Sequence, residues 1–276
     1  MTRLPTPALA LLLLAACAGV TAQTPPPAAT AAPAIDAGLR AAVADPGRDP
    51  AQRARDAYRH PAETLAFFGI RPTDTVIEIS PGTGWYSAIL APYLRERGAY
   101  VAAGATPAPG RSNGLRAVFA ADPARYGRAT LLEYDGKAPV LGAPGTADAV
   151  LTFRNVHNWV AAGTADAYFQ AFFAALKPGG TLGVVDHRAK PGTDLDTMKK
   201  SGYLTEALVV DLATRAGFVL EARSEVNANP ADTADHPNGV WTLPPTNRHD
   251  AADDARYKAI GESDRMTLRF RKPADE

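Results

Sequence analysis

The 276-residue chain has one cysteine, five histidines and no excess of either charge, with 29 basic side chains against 29 acidic ones. One cysteine cannot close an internal disulfide. With so few histidines it also excludes a zinc cluster built on thiolates. Balanced charge provides no long-range field for nucleic acid or for an anionic membrane surface. The apolar run at residues 8–20 is thirteen residues long, short of the about 20 that a membrane-spanning helix needs. What is present, 46% hydrophobic and 21% charged residues, is the composition of a globular chain able to bury a sizeable core.

The charges are unevenly spread. Arg3 is the sole charge among residues 1–34. A basic start followed by a short apolar run matches a bacterial secretory signal. Two cleavage sites compete. Leu14-Ala15-Ala16-Cys17 resembles a lipoprotein lipobox, whereas Val20-Thr21-Ala22 before Gln23 resembles an ordinary signal-peptidase site. Residues 1–22 are therefore expected to be a signal peptide and residues 23–47 a proline- and alanine-rich tether. A short helix is possible near residues 35–44. The folded domain is expected at residues 48–273. The expected location is outside the cytosol, in the periplasm or as an outer-membrane lipoprotein of a Gram-negative bacterium. Membrane contact is expected only through the leader or a lipid on Cys17.

From Arg48 onward, short apolar strands alternate with amphipathic helices. Strands are predicted at 75–79, 99–103, 129–133, 148–153, 181–186, 218–225 and 266–271, and helices at 51–59, 62–68, 85–96, 166–176 and 203–216. This is an α/β pattern, a doubly wound, mostly parallel seven-stranded sheet. Such sheets place their sites at the carboxyl ends of the strands.

After the first strand the chain reads Glu78-Ile79-Ser80-Pro81-Gly82-Thr83-Gly84-Trp85. A strand enters a glycine-containing turn that opens a helix, so the backbone can approach a ligand closely and offer free N–H groups. The dinucleotide fingerprint G-x-G-x-x-G, with its acid after strand two, is absent. Instead the acid precedes the turn. The segment resembles motif I of the class I S-adenosylmethionine (SAM) methyltransferases. Leu176-Lys177-Pro178-Gly179-Gly180 resembles the stretch before that family's fifth strand, and Asp148-Ala149-Val150-Leu151 resembles its fourth strand. The end of the chain is similar to its antiparallel seventh strand. More narrowly, Tyr58-Arg59-His60-Pro61, Asp186-His187-Arg188-Ala189 and Trp241-Thr242-Leu243-Pro244-Pro245 resemble a bacterial group of exported predicted methyltransferases. The resemblance implies a Rossmann-like methyltransferase fold and SAM as cofactor. Glu78, Ser80, Pro81, Gly82, Thr83, Gly84 and Trp85 would line the cofactor turn, with Asp135 near the adenine and Asn155 nearby. Ser80 replaces a glycine of the motif. The family's acid at the end of strand two is missing from Val101-Ala102-Ala103-Gly104-Ala105. Loss of such a charge-assisted contact costs about 1.5–3 kcal/mol.

Methyl transfer to a hydroxyl needs a positioned base. Asn155-Val156-His157-Asn158-Trp159 resembles the histidine step of small-molecule O-methyltransferases, which makes His157 the expected base. Asp186 and His187 follow as further catalytic candidates. His157, Asp186 and His187 have the chemistry of a metal site but no ligand spacing in sequence, and no metal is expected. Arg188 is a candidate for a substrate carboxylate or, on the plainer reading, a surface ion pair. Tyr58 and His60 are candidate lid residues over the substrate, and Trp241 is a candidate pocket wall. His236 and His249 lie in polar loops and are expected to be solvated. The expected activity is methyl transfer to a small molecule without nucleic-acid partners. The alternative is a methyltransferase-like envelope binding protein without turnover.

Overall fold

A computed structural model describes residues 1, 2 and 34–274. The leader, Cys17 and residues 23–33 of the expected tether lie outside the described residues. Among the described residues no helix is long and apolar enough to cross a membrane.

Seven strands form one sheet: β1 (Thr75–Ile79), β2 (Ala99–Ala105), β3 (Thr130–Tyr134), β4 (Ala147–Phe153), β5 (Leu176–His187), β6 (Val219–Ser224) and β7 (Arg265–Arg271). Their spatial order is β3-β2-β1-β4-β5-β7-β6. The five strands from β3 to β5 are parallel, and β7 runs antiparallel to both β5 and β6. The chain winds outward from β1 to β3 and then returns to the other side of β1 with β4. The carboxyl ends of β1 and β4 therefore flank the switch point, where open α/β sheets form ligand crevices.

Side-chain alternation along β1 splits the core. Ile77 and Ile79 face one cluster, packed beneath helices Ala165–Ala175 and Glu206–Arg215. Val76 faces the other, beneath helices Pro61–Phe67 and Ser87–Leu94. Glu78 shares the face of Val76 by the same period of two. A carboxyl group is thereby driven under a helix.

Several boundaries differ from the sequence prediction, each for a local reason. The expected helix 51–59 is two turns, Pro50–Arg53 and Asp56–Arg59. The expected helix 85–96 shortens to Ser87–Leu94, because Gly82 and Gly84 hold positive φ and extend the turn. The expected helix 203–216 starts at Glu206, where the Thr205 hydroxyl caps the Leu208 N–H at 3.3 Å. Strand β5 begins five residues early, at Leu176. Gly179 and Gly180 there exchange backbone hydrogen bonds with Lys272 and extend the ladder.

The largest difference lies at the amino terminus. Helix Ala37–Ala44, in residues assigned to the tether, packs with Leu39 and Ala42 buried in the second core cluster. Asp36 caps it by accepting from the Leu39 N–H at 3.0 Å. Leu39→Ala will therefore lower the unfolding free energy by about 2–5 kcal/mol, read from denaturant midpoints. A loss below about 0.5 kcal/mol, as expected of an exposed site, would return these residues to the tether.

Candidate active site

Past β1 the chain turns sharply. Ser80 has φ +50°, Gly82 +64° and Gly84 +82°. The Ser80 N–H donates to the Ala103 carbonyl at 2.7 Å, stitching the turn to the end of β2. Its hydroxyl lies 3.3 Å from that of Tyr134 on β3. At Gly82 an added Cβ would meet no atom within 4 Å. The glycine therefore presents bare backbone to open space, and the left-handed φ disfavours any other residue. Pro81 is half-buried, and Gly82 and Thr83 are exposed.

Glu78 is buried below this turn. Its Oε2 accepts from the Tyr100 hydroxyl at 2.6 Å and from the Ser87 hydroxyl at 3.4 Å. Burial raises its pKa from the ordinary 4.5 to about 7, against the lowering effect of those two hydrogen bonds. Trp85 does not face the turn. Its indole N–H donates to the Gln52 carbonyl at 2.8 Å, and the Arg48 and Arg59 guanidiniums lie over its ring at 5.3 and 4.6 Å. It fastens the segment before the sheet rather than the candidate cofactor site.

Asp135 is exposed just past β3, where its Oδ1 accepts from the Lys137 N–H at 2.9 Å. Beside it in sequence is an acid that the motif reading passed over. Glu133 stands in register with Gly104 at the end of β2 and pairs with Arg116 at 3.0 Å. Asn155 donates to the Ile79 carbonyl at 3.0 Å and so ties the loop after β4 to the end of β1.

The expected catalytic trio does come together. Asp186, fully buried in β5, lies 2.9 Å through Oδ1 from His157 Nδ1. It also accepts from the His187 backbone N–H at 2.7 Å. With Asp186 against Nδ1, Nε2 is the ring nitrogen left for other contacts. His187 differs. Its Nδ1 meets the Ser263 hydroxyl at 2.6 Å, and its Nε2 faces Arg154 Nε at 3.4 Å. Burial, with Arg154 second, holds its pKa well below the ordinary value, so it stays neutral with both nitrogens engaged. The donor atoms of His157, Asp186 and His187 lie within 4.8 Å of one another. That is near enough for a shared metal, but the Arg154 guanidinium occupies the same ground and opposes a second cation.

A cavity of about 190 Å³ opens over this trio, walled by Arg154, His157, His187, Trp241, Pro244 and Pro245 among others. The Trp241 ring lines this cavity and stands edge-on to His157, 6.2 Å between centroids. It is carried in by the excursion between β6 and β7, which buried Asp232 pins down. Asp232 accepts from the Tyr203 hydroxyl at 2.9 Å, from the Asp264 N–H at 2.7 Å and from His236 Nε2 at 2.8 Å. The side chains of His236 and His249 are therefore nearly enclosed, 5% and 6% exposed, contrary to the expectation that they are solvated.

Arg188 is spent elsewhere. Asp264 holds it at 2.8 Å and Glu225 at 2.7 Å. It has no free face for a substrate carboxylate, and the ion-pair reading of this residue is the one its geometry matches. Tyr58 is half-exposed and packs on Gly261, where a Cβ would meet its ring at 2.7 Å. His60 turns the chain at φ +39°, with its Nδ1 buried and unpartnered.

The pKa of Glu78 carries a sign that can be measured. A carboxyl group raised on folding binds a proton in the native state before it does in the unfolded one. Its contribution to stability therefore falls as pH rises from about 4.5 through about 7. Glu78→Gln removes that slope. Relative to the parent chain, the variant will gain about 3 kcal/mol between pH 4.5 and pH 8, read from denaturant unfolding. A stability difference that is independent of pH would refute the buried, proton-holding carboxyl.

No protein-family model matches the chain, and a search of curated proteins finds no match. Solved structures do match in shape. A SAM-dependent methyltransferase from Aquifex aeolicus aligns at a TM-score of 0.52 and 14% identity, over 81% of this chain and 94% of that one. The cyclase SpnF aligns at 0.56 and 17%, over 86% and 92%. A geranyl diphosphate methyltransferase in complex with SAM aligns at 0.50 and 15%, over 87% and 96%. At these identities the likeness is one of architecture. The chain has the seven-stranded, Rossmann-like fold of the class I methyltransferases, with β7 antiparallel.

Proposed function

We propose that the chain is a SAM-dependent methyltransferase acting on a small molecule. The observation that carries this reading is the His157–Asp186 pair, which leaves Nε2 of the ring for a reacting group at a small cavity past the carboxyl ends of β4 and β5 in a methyltransferase-type sheet. The turn fits the cofactor. Gly82 offers bare backbone with free space above it, and Glu78 places a carboxyl beneath it for an ammonium. Asp135 and Asn155 stand at the ends of β3 and β4 on the same rim. SAM, when bound, supplies an electrophilic methyl group on a sulfonium. His157 then takes the acceptor's proton at Nε2, Asp186 holds the Nδ1–H and favours the imidazolium, and the walls around Trp241 exclude water.

A second reading, a binding protein without turnover, is favoured by one feature. The end of β2 carries Gly104 and Ala105 in place of an acid, and Glu133 beside it is already paired with Arg116. Export by the leader at residues 1–22, with Cys17 as a possible lipid anchor, belongs to the proposal in either case.

Calorimetry of the domain from residue 34 with S-adenosylhomocysteine (SAH) tests the cofactor. Binding will strengthen as pH rises from 6 to 8, because an ammonium requires Glu78 ionised. Glu78→Ala will weaken it about tenfold or more. No binding at about millimolar ligand would sink the reading, and unchanged affinity in the variant would sink the placement. For the base, His157→Ala will lower kcat for methyl transfer by about 10²-fold or more while SAH still binds. An unaltered kcat would reject His157.

A further inference from the structure

Arg154 lines the cavity within the electrostatic reach of three further arginines, Arg55, Arg59 and Arg265, and one carboxylate answers those three. Glu262, buried before β7, takes Arg55 Nε at 2.5 Å, Arg59 Nε at 3.3 Å and Arg265 Nη2. Those three cations are its ion-pair partners. Arg154, directly after β4, has no carboxylate of the described residues within ion-pair distance. Its recorded side-chain partner is neutral His187, at 3.4 Å. The charges of Arg265 and Arg59 act on it, and with burial as the larger cause they lower its pKa to about 9. The same cluster holds buried donors without acceptors, Arg55 Nη2 and Arg265 Nε. Arg154 is also held at φ +64°, a left-handed conformation uncommon for any residue but glycine. The conformation keeps the side chain at the wall it shares with His157.

An excess of guanidinium in a low-dielectric pocket is a standing demand for an anion. We propose that the methyl acceptor is a small oxyanion, carboxylate or phosphate, seated on Arg154, with its nucleophilic atom turned to His157 Nε2. Arg154 offers its planar fork for two parallel hydrogen bonds. The Trp241 and Pro244-Pro245 walls cover the rest of the molecule. The role that Arg188 lacks thus falls to Arg154. This inference rests on the methyltransferase reading of the same site.

The test is a titration of the domain from residue 34 with benzoate and with inorganic phosphate at constant ionic strength. Thermal midpoint and calorimetry are the readouts, and SAH binding is measured in parallel. A saturable shift with either anion is expected, and which one binds more tightly identifies the source of the oxyanion. Arg154→Met will weaken that binding about tenfold or more, and Arg154→Lys will retain part of it. No saturable binding to the parent chain at about 100 mM of either anion, well above the millimolar range of weak sites, would overturn the proposal. So would a shift that chloride reproduces, or equal affinity in a folded Arg154→Met. Competition between the anion and SAH would assign the pocket to the cofactor's own carboxylate and also overturn it. Anion binding without SAH binding would instead leave the oxyanion pocket standing and remove the methyltransferase reading beneath it.

Discussion

Glu262 is the carboxylate on which the site depends. It binds arginines from two parts of the chain, Arg55 and Arg59 before the sheet and Arg265 at the start of β7. Those arginines hold its pKa near 2, although burial alone would raise it. The attraction is strong because the groups are enclosed. For the same reason it is costly to lose one side of it, about 3–5 kcal/mol for a buried pair. Without Glu262 the guanidiniums would repel one another, and the segment at residues 48–60 would lose its main polar attachment to the far end of the chain. Arg48, bonded to Asp56 at 2.8 Å and stacked over Trp85, secures the other side of that segment.

Two layers of polar contacts therefore surround the chemistry. The inner one is small: Asp186, two histidines and Ser263, joined by short bonds among backbone and side chains. The outer one is cationic and comes from elements distant in sequence. Between them lies the cavity. His157 sits at the start of the helix after β4, Asp186 at the end of β5, and the guanidiniums gather where residues 48–60 meet the start of β7. Glu78 belongs to neither layer. It lies on the opposite face of β1 from Ile77 and Ile79, where burial and the Tyr100 and Ser87 hydroxyls set its protonation.

Much of this was legible in the chain because it is written locally. The strands announce themselves by β-branched and apolar runs, and the strand order follows from where short connections and winding rules allow them to go. The turn at Glu78 to Gly84 is contiguous, so its residue types could be read together. His157, Asp186 and His187 follow strand ends and were found by that rule. Trp85 was misplaced because position in a motif says nothing about the direction of an indole. Its partners Gln52 and Arg59 are 33 and 26 residues upstream. Arg188 looked free because its neutralising acids, Glu225 and Asp264, lie 37 and 76 residues later. Arg154, Asp232, Glu262 and Arg265 carry no local signature at all. Each matters only through partners that folding brings together. The short helix near residues 35–44 was read from the chain, but its docking at Ala37–Ala44 was not, because the proline-rich stretch beside it placed it in the tether.

The reversal of β7 has a consequence in time as well as in space. Because β7 runs against β5, its first residue, Arg265, pairs in register with His187 at the carboxyl end of the sheet. The contacts of Glu262 with Arg55 and Arg59 then close loops of 207 and 203 residues. Pairings of that sequence separation are slow to form, since the loop entropy is lost before the contact is gained. A chain emerging amino terminus first can build β1 to β4 and the glycine turn while its last strand is still being synthesised. It cannot build the roof of the cavity. The glycine turn can close early and the cluster around Glu262 only last, so for most of its synthesis the chain is a sheet without its final polar clasp.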